Sequence, residues 1–171
     1  MYAIGRGYLP EYTRFWDDIS RGEFLSLLMQ SLNVQEPAAV HPGYVRFKDV
    51  SITGVKGDEG KRIERANKLG LVSGMDDNQF DPKSPITRQD MMVMTYNVLS
   101  KLGKIQPDET LSSLELFNDS GDVADYAKLA VSSLIKNGMI SGDGALIYPT
   151  KKMNNAEAMV LAKSLNVYRY R

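Results

Sequence analysis

Apolar residues recur at helical spacing in five stretches, separated by polar segments carrying glycine and proline. Phe24, Leu25, Leu27, Leu28 and Leu32 give a broad apolar face and predict a helix over 20–33. Met91, Met94, Val98 and Leu102 share one face of a predicted helix over 87–102, which Gly103 is expected to stop. Ala158, Met159, Leu161, Ala162 and Leu165 do the same over 155–166. Two narrower stripes, Ile63, Ala66, Leu69 and Ala127, Val131, Leu134, Ile135, predict helices near 58–69 and 123–137. The methionines on these faces read as core packing rather than as a metal or cofactor box.

The three broader helices start with one device. Ser20, Thr87 and Asn154 are N-cap types, and an acid follows three positions later in each case: Glu23, Asp90 and Glu157, the spacing of a capping box. The apolar residues before the caps, Ile19, Ile86 and Met153, are evenly spaced, since 86 − 19 and 153 − 86 both equal 67. Equal spacing without gaps indicates an internal repeat. The first helical position is Arg21, Arg88 and Asn155 in turn. An arginine beside the four unpaired N–H groups of a helix start is expected to complete an anion site, with Thr87 and Ser20 close by.

The narrower helices end alike. Gly70-Leu71-Val72-Ser73-Gly74 matches Gly138-Met139-Ile140-Ser141-Gly142. The first glycine suits a left-handed C-cap, and the second, Gly74 in one copy, permits a turn or a close backbone approach to a ligand. Before these helices stand Phe47-Lys48-Asp49 and Phe117-Asn118-Asp119. Asp49 is either a local turn or capping acid or a ligand contact. Each unit thus reads as helix, turn, short extended connection and capped helix. Three capped helices that cannot bury their apolar faces alone predict an all-α fold with a central three-helix bundle and the other helices projecting around it.

Residues 1–18 hold Tyr2, Tyr8, Tyr12, Phe15 and Trp16 with Arg6 and Arg14, without helical or strand period, and read as a loop. Its rings are expected to plug a core; the alternative is a stacking surface for a sugar ring, with Trp16 its candidate. Residues 33–44 are a linker broken by Pro37, Pro42 and Gly43, and its His41 has no partner nearby in sequence.

Composition narrows the chemistry. With 21 basic and 21 acidic side chains the net charge is zero, which argues against nucleic acid or an anionic membrane as partner. There is no cysteine for a disulfide scaffold or thiolate site. No apolar run approaches membrane-spanning length, and residues 1–10 lack the apolar core of a signal peptide, so any export signal is expected on a longer precursor. The acidic stretch 75–81 lacks the glycine and terminal glutamate of an EF-hand loop and reads as a surface turn. No nucleophile and base fall into a recognisable constellation, so no enzyme, catalytic residue, metal site or cofactor is predicted. A carboxylate pair remains open, because its separation is spatial.

In the order Phe-x-Asp, helix, Gly-x-x-x-Gly, aromatic-x-Pro and Ile-Thr-Arg-Gln-Asp, residues 47–103 resemble the S-layer homology domain family. Residues 117–166 resemble it more loosely, and Tyr8-Leu9-Pro10 with Ile19 to Glu23 resembles its second half. The organisation implied is one module over 1–171: a partial or diverged first repeat in 1–34, a second in 47–103 and a third in 117–166. That counts about two and a half repeats.

The resemblance implies pseudo-threefold repeats in a three-pronged spindle. It also implies a non-enzymatic anchor holding a larger surface protein to the bacterial cell wall, outside the cell, in the S-layer. The implied partner is a secondary cell-wall polysaccharide, often carrying pyruvate ketals, bound in grooves between repeats. The family's box arginine falls on Arg88 and Arg21, whose charge-assisted donors suit a ketal carboxylate. Asn155 departs from the box, so the third repeat is expected to be structural or to bind differently. The competing expectation is a degenerate module with a structural or protein-interaction role and no glycan affinity. An exposed apolar bundle face would favour self-association.

Overall fold

The computed structural model describes residues 14–35, 44–54 and 57–165. Tyr2, Arg6, Tyr8, Pro10, Tyr12 and His41 lie outside the described residues. Among the described residues, helix dominates: α1 (Arg21–Ser31), α2 (Gly57–Lys68), α3 (Arg88–Lys101), α4 (Lys128–Lys136) and α5 (Asn155–Leu165), with short 3₁₀ turns at Asp76–Asn78, Ser112–Leu116, Ser120–Asp122 and Asp125–Ala127. No strand is present among the described residues, only isolated bridges. No described helix is long and apolar enough to cross a membrane.

The helix stops are those the glycines predict. Gly70, Gly103 and Gly138 have φ of +68°, +66° and +66°. Each helix closes by a paired bond, such as Gly70 N–H to Asn67 O and Leu71 N–H to Ala66 O. Asn33, at φ +52°, does the same for α1, with its own N–H on Gln30 O and that of Val34 on Met29 O.

The starts of α1, α3 and α5 meet in a closed ring. Ile19 N–H donates to Met153 O at 2.9 Å, Met153 N–H to Ile86 O at 3.0 Å, and Ile86 N–H to Ile19 O at 3.1 Å. The three side chains, at most 1% exposed, fill the core beneath the ring. Burying each contributes about 1.5–3 kcal/mol. Outside the ring each helix start is capped by its neighbour's backbone. Arg21 and Gly22 N–H reach Ser84 and Pro82 O; Arg88 and Gln89 N–H reach Lys151 and Pro149 O; Asn155 and Ala156 N–H reach Asp17 and Phe15 O. From this junction α1 packs against α2, α3 and α5, while α3 packs against α4.

Phe-x-Asp forms a clamp at Asp49 and again at Asp119. Asp49 accepts Phe80 N–H at 2.9 Å and Asp81 N–H at 2.7 Å. Asp119 likewise accepts Ile147 N–H at 2.8 Å and Tyr148 N–H at 2.7 Å. These bonds hold the left-handed backbone of Asp81 and Tyr148, both at φ +56°. The paired phenylalanines lie against the second glycine of each phrase. A Cβ on Gly74 would stand 2.7 Å from Phe47 Cε1, and one on Gly142 only 2.3 Å from Phe117 Cε1.

The expectation that the aromatic segment plugs the core is corrected for its described part. Trp16 is 81% exposed and Phe15 43%. This stretch uses its carbonyls to cap α5, which turns the backbone inward and the rings outward. The connection between α3 and α4 holds a buried carboxylate instead: Asp108 accepts Ser132 Oγ–H at 2.6 Å, Thr110 Oγ1–H at 2.8 Å and Ser113 N–H at 3.1 Å.

Candidate functional site

Two grooves share one plan. The first, of about 250 Å³, runs between the start of α3, the turn at 139–141 and the outer face of α5. Arg88, Ser141, Glu157, Val160, Leu161 and Ser164 are among its walls. The second, of about 330 Å³, runs between the start of α1, the turn at 71–75 and the outer face of α3, with Tyr126 at its side. Its counterparts each lie 67 residues earlier: Arg21, Asp90, Val93, Met94 and Asn97.

The arginines use these positions differently. Arg88 donates Nη2–H to the exposed Ser141 carbonyl at 3.0 Å, and its buried Nε has no partner. Burial lowers its pKa, while Glu157 and Asp119 pull the other way. Glu157 is itself bonded to Lys151 Nζ at 2.7 Å. Partial burial opposes its charge, yet that bond, the Asn154 N–H and the charges of Lys151 and Arg88 bring its pKa below the ordinary carboxyl value.

Arg21 is only 9% exposed. Its Nε–H donates to Phe80 O at 3.2 Å, and its Cζ stands 5.2 Å from the centre of the Phe80 ring. Across this groove the Tyr126 hydroxyl donates to Asp90 Oδ1 at 2.7 Å. Burial first, then that bond, pushes the phenol up to about 12.

The helix-start anion site predicted around Arg88 and Arg21 needs correcting. For α3, Arg88 and Gln89 N–H are taken by neighbouring carbonyls, Asp90 N–H by Thr87 Oγ1 at 3.3 Å and Met91 N–H by Thr87 O. The first four N–H groups of α1 and α5 are occupied in the same way. The first-turn amides are therefore taken by neighbouring carbonyls and by the caps, and donors for an anion come from side chains alone.

Thr87 and Ser20 serve as caps, each worth about 1 kcal/mol. The full capping box forms at Ser20 with Glu23 and at Asn154 with Glu157. At Thr87 it is half made: Asp90, one methylene shorter, takes the Thr87 hydroxyl at 2.6 Å and the Tyr126 hydroxyl.

Asp49 and Gly74 have the internal partners described above, and Gly74 also lines the Arg21 groove. Trp16 lines neither groove. Asn155, where the third arginine would stand, is buried and donates Nδ2–H to Arg14 O at 3.0 Å and Asp17 O at 3.1 Å. The α1 residues matching the groove walls Val93 and Val160 and Met94 and Leu161 are Ser26 and Leu27, both buried.

Sequence reasoning missed Tyr126, Val160, Asn97 and Ser164. The last three were within reach, because the 67-residue shift that relates the caps also relates these wall positions. Tyr126 carries no such signal.

The family model of the S-layer homology domain matches residues 46–92. Over 149 residues the chain is 29% identical to Exoglucanase XynX of Acetivibrio thermocellus, covering 86% of this chain and 13% of that protein. It is 26% identical over 157 residues to a cellulosome-anchoring protein of the same species, covering 91% and 34%. An endoglucanase of Bacillus sp. strain KSM-635 is 24% identical over 143 residues, covering 82% and 14%. The chain thus spans between 13% and 34% of the length of these relatives. The residues matched by the family model carry the clamp of Asp49, the glycine turn at Gly74 and the capped start of α3, and over 46–92 the chain is similar to the S-layer homology domain family.

Proposed function

We propose that the chain is a non-catalytic anchoring module. It holds a larger protein to the outside of the bacterial cell by binding an acidic secondary cell-wall polysaccharide in the Arg88 groove. The cell-surface part of this reading is supported by the family and by a relative whose name is a cellulosome-anchoring protein. The glycan part rests on one observation: a half-buried guanidinium faces the groove with an unpartnered Nε. A ketal carboxylate offers two oxygens to such a fork, and a charge-assisted bond of this kind contributes about 1.5–3 kcal/mol.

The closed ring of Ile19, Ile86 and Met153 supports the pseudo-threefold arrangement around a three-helix bundle, with units in 1–34, 47–103 and 117–166. Two features favour the second reading, a structural or protein-interaction module: Arg21 is engaged with Phe80, and Asn155 with Arg14 and Asp17.

Binding of the purified chain to isolated cell-wall polysaccharide, with and without its pyruvyl groups, decides between them. Arg88→Ala is expected to weaken pyruvate-dependent binding roughly tenfold to a hundredfold. Equal binding by the folded variant removes the carboxylate mechanism, and no binding by the intact chain supports the second reading.

A further inference from the structure

A third cavity, of about 550 Å³, opens between the C-terminal end of α1 and the first turns of α2, and shares no lining residue with either groove. Gln30 and Asn33 stand on its α1 side; Asp58, Lys61, Arg62 and Arg65 stand on its α2 side. Three cations against one carboxylate leave a surplus of two positive charges, in a chain whose net charge is zero. Lys61 and Asp58 are paired at 3.3 Å, so the surplus lies on the two guanidiniums.

Helix pairing does not by itself call for this charge. Counted back from the matching glycines Gly70 and Gly138, the positions of Lys61, Arg62 and Arg65 are held on α4 by Leu129, Ala130 and Ser133, all uncharged. The end of α1 accounts for one cation: Arg65 Nη1–H donates to Val34 O at 3.2 Å, beside the negative end of the helix dipole. Arg62 is half-buried in the same wall and makes no hydrogen bond or ion pair with a described residue. Withdrawing an unpartnered guanidinium from water costs free energy that a bound anion would recover.

We infer that this cavity is a binding site for a phosphate ester, separate from the grooves and independent of the glycan reading. A phosphate monoester carries about 1.5 to 2 negative charges at neutral pH, which the surplus of two balances, whereas a carboxylate supplies one. Its terminal oxygens suit the guanidinium forks of Arg62 and Arg65, and the amides of Gln30 and Asn33 offer donors and acceptors to the rest of the molecule. The volume falls among those of small-molecule sites, roughly 300–1,000 Å³.

The test is titration of the whole chain with inorganic phosphate and with methyl phosphate, followed through backbone NMR shifts, with acetate at matched ionic strength beside them. Shifts are expected to gather at Asn33 and along the first turns of α2, and both phosphates to bind more tightly than acetate. Arg62→Gln should weaken phosphate binding about tenfold or more, and Arg62→Lys, which keeps the charge and loses the fork, should weaken it less. Arg88→Ala should leave it unchanged. Binding should also weaken between about pH 8 and about pH 5, where the phosphate falls toward a single charge. Phosphate binding that Arg62→Gln does not alter, shifts that gather around Arg88 instead, acetate binding as tight as phosphate, or no binding at all overturns the site.

Discussion

The Arg21 guanidinium lies against the Phe80 ring, 5.2 Å from its centre, while its Nε–H holds the carbonyl of that same residue. One side chain thereby ties α1 to the clamped turn of the following unit. Its sequence equivalent Arg88 makes a single bond to an exposed carbonyl.

The same substitution should therefore have opposite consequences at the two sites. Arg21→Ala is expected to cost about 2 kcal/mol, lowering Tm by roughly 4–8 °C, since it removes a buried charged donor and a ring contact. Arg88→Ala should shift Tm by no more than about 2 °C and act on binding. Thermal melts beside polymer binding check this; equal destabilisation by both would refute the division of labour.

Asp119→Ala strands the N–H groups of Ile147 and Tyr148 and releases the left-handed backbone at Tyr148. A loss of about 2 kcal/mol is expected. Asp119→Asn should recover only part of it, because an amide presents one acceptor where the carboxylate presents two. Urea unfolding of the three proteins gives the ordering.

Gly142→Ala places a methyl group 2.3 Å from Phe117 Cε1 and 2.5 Å from Leu146 O. The loss should be about 1–3 kcal/mol. At Gly74 the nearest atoms stand at 2.7 Å, so Gly74→Ala should cost less. The reverse ranking in denaturant melts would contradict the packing described.

Asp108 gives the chain a defined acid sensitivity. The Ser132 hydroxyl, then the Ser113 N–H and the Thr110 hydroxyl, hold its carboxyl well below the ordinary 3.8. Its folded pKa is depressed, so its contribution is complete above about pH 4 and is lost as pH falls through the folded value. Tm of the intact chain should fall on acidification below pH 4, and more gently in Asp108→Asn. Parallel acid profiles would mean that other carboxylates dominate.

What could be read beforehand followed from local chemistry. Ser20, Thr87 and Asn154 announce helix starts, and Gly70, Gly103 and Gly138 announce stops, because a cap acts on its own turn. Likewise the 67-residue interval links Ile19, Ile86 and Met153, the three residues whose backbones meet in the ring. Contacts across the chain were not legible. The helix starts looked open to an anion because the carbonyls that fill them, such as Lys151 O on Arg88, come from another unit. Trp16 looked like core because its backbone's attachment to α5 leaves no trace in composition. Asp90 looked like a plain capping acid until Tyr126 stood beside it.

The capping of α5 by residues 14–17 bears on how the chain folds. Asn155 reaches partners 138 and 141 residues away, so these bonds close nearly the longest loop among the described residues. Loop-closure entropy places such contacts late. Helices α1 to α4 can gather early, but the junction is complete only when the opening segment arrives. Unfolding should then be cooperative, with hydrogen-exchange protection at Ile19, Ile86 and Met153 lost together rather than unit by unit.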